Sequence, residues 1–331
     1  MVKEAKDSSI ATTRRCLIVG NYCHDVLIKD GVVIAESLGG AASFISAVLD
    51  GLSITSNYIS KVDRILNRVT ACDPVTPSDL PNSTFDFGLA VGVGGEILPE
   101  TLERIIEICK VVFVDIQALV RAFDPVDGTV NLVHLNQTEF WPLLKRIGFL
   151  KASAEEAPYV DVEEARKWCC VVVTNGKEGC TVYNKDDECP VAPFPAFQVD
   201  PTGAGDSFLG GLVAGLVHGL AIPDAALLGN FFGSLTVGHI GLPKFDSLLV
   251  QKVKDEVLKR SLQHFGSHEK QEDEPKRLKP LDHEEFLAAL SAAKVVPAHT
   301  IKECKWDLRS SPGTLEQPVC NGHRRLPLNS L

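Results

Sequence analysis

Val199-Asp200-Pro201-Thr202-Gly203-Ala204-Gly205-Asp206-Ser207-Phe208-Leu209-Gly210-Gly211 is the stretch on which the reading of this chain turns. Pro201 fixes φ, Gly203 and Gly205 let the backbone turn with its amides exposed, and the pairs Phe208-Leu209, Leu212-Val213 and Leu216-Val217 recur at helical spacing. A loop feeding a buried helix is predicted. The free N–H groups at such a helix start, together with the aligned peptide dipoles, make a site for an anion. Asp206 falls inside the first turn. Its carboxylate either complements the helix dipole, worth about 0.3–1 kcal/mol, or stands beside the anion because that neighbour carries a reacting proton or a metal. The loop alone leaves both readings open.

The chain has 331 residues, 45% of them apolar, and a formal net charge of −10. That length buries a full core as one large domain, with or without a small appendage. The acidic balance argues against nucleic acid or an anionic membrane as the main partner. No apolar run approaches the roughly 18 residues of a membrane span. Met1 to Arg15 is polar and lacks an apolar core segment, so it is expected to be disordered and no secretory signal is expected. Of the ten cysteines, Cys169 and Cys170 are adjacent, and Cys16, Cys23, Cys109 and Cys180 fall in or beside apolar runs without metal-site spacing. Reduced, mostly buried thiols and a cytoplasmic location are the expectation.

Upstream, Cys16-Leu17-Ile18-Val19-Gly20 reads as a buried parallel strand, which delivers Asn21 to Asp25 to its carboxyl end, where ligands gather in open α/β sheets. Asp25 there suits either sugar or polyol hydroxyls or a plain turn. Further buried strands are predicted at Phe85 to Gly92, Val111 to Asp115 and Val171 to Thr174, with an amphipathic helix over about Leu98 to Cys109. Asn175-Gly176 marks a turn between Val171-Val172-Val173-Thr174 and Cys180-Thr181-Val182-Tyr183. Strands alternating with helices indicate a parallel sheet covered on both faces. Ala225 to Gly238 reads as a small-residue-rich helix, followed by His239 as a core or helix-end histidine. From His264 the chain becomes charged, and Leu281 to Ala293 could form one short amphipathic helix. Lys276-Arg277-Leu278-Lys279 reads as a surface linker rather than a nuclear signal.

Asp200-Pro201-Thr202-Gly203-Ala204-Gly205-Asp206-Ser207-Phe208 resembles the C-terminal signature of the ribokinase-like carbohydrate kinases, the phosphofructokinase-B type. The resemblance implies an α/β fold, a three-layer α/β/α sandwich with a central mostly parallel sheet and a small β lid. It implies that the amides of Gly203, Ala204 and Gly205 form an anion hole for the migrating phosphoryl group and that Asp206 is the general base. Leu38-Gly39-Gly40-Ala41-Ala42 resembles the family's N-terminal Gly-Gly motif, which implies Gly39 and Gly40 as substrate neighbours, and Asp25 stands where the family has its substrate-hydroxyl aspartate after the first strand. Phe44 stands where an asparagine usually follows, which implies a lost polar substrate contact.

Thr174, Gly176 and Gly179 resemble the family's Thr-x-Gly-x-x-Gly nucleotide loop, and with Thr202, Gly203, Asn230 and Ser234 they are the implied ATP contacts. Phe149-Leu150-Lys151-Ala152-Ser153-Ala154-Glu155-Glu156-Ala157 resembles the Asn-x-x-Glu segment with Ser153 for the asparagine, so Glu156 is the implied organiser of magnesium; on the residues alone, Glu155-Glu156 also reads as an exposed helix start. Asn136-Gln137-Thr138-Glu139 fits the letters better but lies away from the expected strand end. Asp115-Ile116-Gln117-Ala118 and Cys169 to Gly176 are similar to the plant myo-inositol kinase branch of the family, which implies ATP and myo-inositol as small-molecule substrates.

The implied kinase domain runs from residue 16 to 263, with lid elements at about 21–38 and 54–70 and a charged tail at 264–331. Ile59-Ser60-Lys61-Val62 runs at once into Asp63-Arg64-Ile65-Leu66, so the lid is expected to be truncated. The resemblance also leaves room for a homodimer. Two rivals remain at this stage: a kinase of another sugar or nucleoside, and a non-catalytic protein with the kinase fold. A dinucleotide-binding dehydrogenase is disfavoured, because Gly92-Val93-Gly94-Gly95 lacks the Gly-x-Gly-x-x-Gly spacing.

Overall fold

A computed structural model describes residues 14–29, 32–61, 72–124, 129–267, 282–294 and 319–320. In chain order the strands are β1 (Cys16–Gly20), β2 (Cys23–Lys29), β3 (Val32–Gly39), β4 (Ser56–Ile59), β5 (Phe85–Val91), β6 (Cys109–Asp115), β7 (Arg121–Phe123), β8 (Val130–Leu132), β9 (Phe149–Ser153), β10 (Cys170–Thr174), β11 (Cys180–Tyr183), β12 (Glu188–Val191) and β13 (Val319–Cys320). The helices are α1 (Ala41–Gly51), α2 (Pro99–Ile108), α3 (Gln117–Val120), α4 (Val162–Ala165), α5 (Ala204–Val217), α6 (Ile222–Thr236), α7 (Ser247–Ser267) and α8 (His283–Lys294).

Eight strands make the central sheet in the order β12-β11-β10-β9-β6-β5-β1-β4, parallel from β10 to β4 and antiparallel at β11 and β12. The apolar runs explain this: a parallel strand is covered on both faces, so nearly every side chain in it is buried. Alternate residues serve opposite layers. Ile18, Leu89, Phe113 and Val172 face the core built with α1, α5, α6, α7 and α8, while Leu17, Ala90, Val114 and Val171 face the layer that holds α2. The chain is a three-layer α/β/α sandwich.

Three features depart from the sequence expectations. Ser56–Ile59, expected in the lid, pairs with β1 as the edge strand of the central sheet. The small sheet is β2 and β3, within the lid element expected at 21–38, antiparallel, with the unexpected β13 on its outer side; residues 62–70 of the expected lid lie outside the described residues. The helix expected within the tail is docked: Phe286, Leu290 and Ala293 of α8 enter the larger core. Its start is held by a buried cluster in which Asp224 accepts from Arg260 Nε at 2.8 Å and pairs with His283 Nδ1 at 2.6 Å. Met1 to Thr13 and the charge run 268–281 lie outside the described residues, and His239 is exposed just past α6.

α5 and α6 approach backbone to backbone. A Cβ at Gly211 would stand 2.7 Å from Leu228 O, and one at Gly229 would stand 2.7 Å from Phe208 O. At its carboxyl end α5 is closed by Arg14, which donates to Leu216 O and Val217 O, both at 2.8 Å. The eight described cysteines whose side chains are placed are free thiols, and burial pushes Cys16, Cys109, Cys169 and Cys170 up to about 12. No described helix is long and apolar enough to cross a membrane.

Candidate active site

The loop before α5 folds over the carboxyl ends of the central strands. Pro201 O accepts from Ala204 N–H at 3.2 Å and Asp200 Oδ1 from Thr202 N–H at 2.9 Å, so the turn is tied before the helix begins. Gly203 sits at φ 76°, in the left-handed region, and a Cβ there would lie 2.2 Å from Phe44 Cε1. Only glycine fits. Phe44, which stands where an asparagine was expected, has a packing role here: the ring is buried and props the turn from α1. The Ala204 amide is spent on Pro201, whereas the N–H groups of Gly203 and Gly205 have no partner among the described residues.

Asp206 lies in the first turn of α5, and its Oδ1 faces Gln117 Nε2 at 3.4 Å. Below it is a charged cluster. Asp115 ends β6 and Lys151 lies in β9, opposite each other in register, and Lys151 Nζ is 2.8 Å from Asp115 Oδ2. Asp115 is fully buried and Lys151 is 6% exposed. Burial lifts the Asp115 carboxyl to about 6 although Lys151 pulls it down. Burial works against the Lys151 ammonium, but Asp115, Glu156 and Asp206 outweigh it and raise it to about 12. At neutral pH the pair is therefore ionised. A Cβ at Gly205 would stand 2.9 Å from Lys151 Nζ, so this glycine also makes room for the ammonium.

Glu156 closes the far side. Its Oε2 accepts from Ser153 N–H at 2.9 Å, its own N–H donates to Ser153 Oγ at 3.2 Å, and its Oε1 is 3.9 Å from Arg121 Nη2. Ser153 thus does the capping that the segment needs, and Glu156 is not an exposed helix start. Among the described residues no group of three or more acidic, cysteine or histidine side chains could hold a metal by itself. A single carboxylate at 12% side-chain exposure suits a magnesium ion that keeps its waters and takes its other ligands from phosphate.

The remaining expected residues lie on other elements. Gly40 caps α1 at φ 87°, where a Cβ would meet Asn21 O at 2.5 Å, and Gly39 O and Gly40 O both accept from Ser43 Oγ at 2.7 Å. Asp25 lies on β2 opposite Ser37, and its side chain lies outside the described residues. Thr174 ends β10 beside Ser153, and Gly176 and Gly179 take positive φ in the following turn. Asn230 is buried and donates its amide hydrogens to Val191 O and Ala192 O, tying α6 to β12. Ser234 Oγ instead accepts from Lys294 Nζ of α8 at 2.8 Å. Gly233, its neighbour, lies under Ala204 O, which places that end of α6 beside the loop.

An amide-lined helix start with a carboxylate in its first turn, beside the carboxyl ends of a parallel sheet, suits a phosphate group held next to a proton acceptor. The sequence pattern of the pfkB family carbohydrate kinases matches residues 126–244. The chain is 56% identical to the inositol 3-kinase of Arabidopsis thaliana over 85% of this chain and 88% of that protein, and 48% identical to that of Oryza sativa subsp. japonica over 76% of each. Among solved structures, a pyrophosphate-dependent kinase in the ribokinase family complexed with a pyrophosphate analog and myo-inositol superposes with a TM-score of 0.56 at 18% identity, over 69% of this chain and 97% of that one. The chain belongs to the pfkB family of carbohydrate kinases.

Proposed function

We propose that this chain transfers the γ-phosphoryl group of ATP to the 3-hydroxyl of myo-inositol. What carries the reading is Asp206 beside the Gly203 and Gly205 amides, which have no partner among the described residues, in a chain 56% identical to an inositol 3-kinase. Asp206 takes the proton of the attacking hydroxyl as its oxygen bonds to phosphorus; the bond to the bridging oxygen breaks and ADP leaves. The Gly203 and Gly205 N–H groups stabilise the charge on the transferred group. Thr174, Gly176, Gly179, Thr202 and Ser234 line the nucleotide side, and Gly39, Gly40 and Asp25 the inositol side. Glu156 would hold magnesium through water, and the ion would neutralise phosphate charge. Buried reduced thiols favour the cytoplasm.

The test is phosphate transfer from labelled ATP with magnesium to a panel of myo-inositol, aldoses and nucleosides, wild type beside Asp206→Asn. Myo-inositol is expected to lead the panel, and the variant is expected to lose about 10²–10⁴-fold in rate. Near wild-type turnover by the variant would refute the base, and transfer to a nucleoside in preference would refute the acceptor.

A further inference from the structure

Lys151 has no place in that account, although it lies at the centre of the site. β9 is an apolar run interrupted by this one ammonium, between the fully buried Leu150 and Ala152. Burying a charge is costly unless it is paired, and a buried pair generally stabilises no more than apolar residues of the same size would. Pairing with Asp115 explains how Lys151 is tolerated. It does not explain why a pair stands here.

Position supplies the reason. The ammonium lies beneath the first turn of α5, against Gly205: a Cβ there would stand 2.9 Å from Lys151 Nζ, and the Gly205 N–H has no partner among the described residues. Three carboxylates, those of Asp115, Glu156 and Asp206, act on it electrostatically. A phosphoryl group bearing several negative charges has to enter among them. Arg121 and a magnesium ion held at Glu156 would act on the far side of the site, whereas the two amides at the first turn of α5 have, among the described residues, one fixed cation beside them, Lys151.

Resting on the phosphotransfer reading, we propose that Lys151 is a catalytic cation of this enzyme: its ammonium, aimed by Asp115, meets the transferred phosphoryl group together with the Gly203 and Gly205 N–H groups. Lys151 keeps its three protons throughout. The acceptor proton goes to Asp206 and the electron pair of the broken P–O bond leaves with ADP.

The competing role is a mere counter-ion for Asp115, and a double variant separates the two. Wild type, Lys151→Met, Lys151→Arg and Lys151→Met/Asp115→Asn are compared for kcat, for acceptor KM, and for the equilibrium preference for ATP over ADP. Lys151→Met is expected to lose about 10²–10³-fold in kcat with acceptor KM changed by less than about threefold, and to lose about tenfold in its preference for ATP over ADP. The double variant, which leaves no buried charge unpaired, is expected to fold cooperatively and stay as slow; Lys151→Arg is expected to recover part of the rate. Turnover regained in the double variant, or an ATP preference unchanged in it, would overturn the proposal. If wild type itself does not phosphorylate myo-inositol, the acceptor reading fails by that result alone, and the ATP-over-ADP preference still decides the role of Lys151.

Discussion

Replacing Gly203 by alanine puts the anion-hole turn to a quantitative test. At φ 76° an L residue pays about 1–2 kcal/mol of backbone strain. The added Cβ would also lie 2.2 Å from Cε1 and 2.4 Å from Cδ1 and Cζ of Phe44, a ring 1% exposed with no room to retreat. Overpacking of this kind costs roughly 1–3 kcal/mol. The sum is about 2–5 kcal/mol, which for a chain of this size lowers Tm by several degrees, at about 2–4 °C per kcal/mol. Turnover falls as well, because a displaced turn re-aims the Gly203 and Gly205 amides. Denaturant unfolding of Gly203→Ala, Phe44→Ala and the double variant separates the contributions. Phe44→Ala alone is expected to cost about 3–5 kcal/mol as a cavity, and the double variant less than the sum by the overpacking part, since the new methyl occupies the emptied space. Strict additivity, or a stable and fully active Gly203→Ala, would refute the packing argument.

Two further outcomes follow from buried charge. The folded pKa of Asp115 is raised from 3.8 to about 6, so between those values the native state holds a proton that the unfolded chain has released. This group's contribution to stability therefore falls as pH rises through that window. Turnover moves the other way, because an ionised Asp115 is needed to hold Lys151: kcat is expected to drop on the acid side with an apparent pKa of about 6, and a flat profile between pH 5 and 7 would contradict it. Asp224→Ala leaves the buried Arg260 guanidinium only the longer contact to Asp282 at 3.7 Å and should cost about 3 kcal/mol. Hydrogen exchange is expected to report early loss of α8, with Asp224→Asn milder because one acceptor remains.

The strands and the α5 loop were legible because each has a local cause. Runs such as Val111 to Val114 read as buried strands, and the glycines around Asp206 read as a turn into a helix. What stayed hidden depends on strand order. Asp115 and Lys151 each look like a stray charge at the edge of an apolar run, and only the adjacency of β6 and β9 makes them a pair. A lysine inside an otherwise buried strand was the available signal. Phe44 could be seen to replace an asparagine, but its contact with Gly203 joins residues far apart in the chain. Ser56–Ile59 carries too few apolar side chains to declare whether it belongs to a lid or an edge, since its middle residues are exposed. The periodicity of Phe286, Leu290 and Ala293 announced a helix, while its docking rests on Asp224 and Arg260, which lie in other elements.

The glycine contacts between α5 and α6 bear on how the enzyme can open and close. Two helices locked backbone to backbone cannot slide past each other without losing that fit, so the loop at the start of α5 and Ser234 on α6 keep a fixed spacing. On the proposed assignment of ATP to this side, they form one rigid jaw. Accommodation of the proposed acceptor then falls to the opposite jaw, the β2–β3 ribbon, joined to the body through Asn21 at one end and Gly40 at the other.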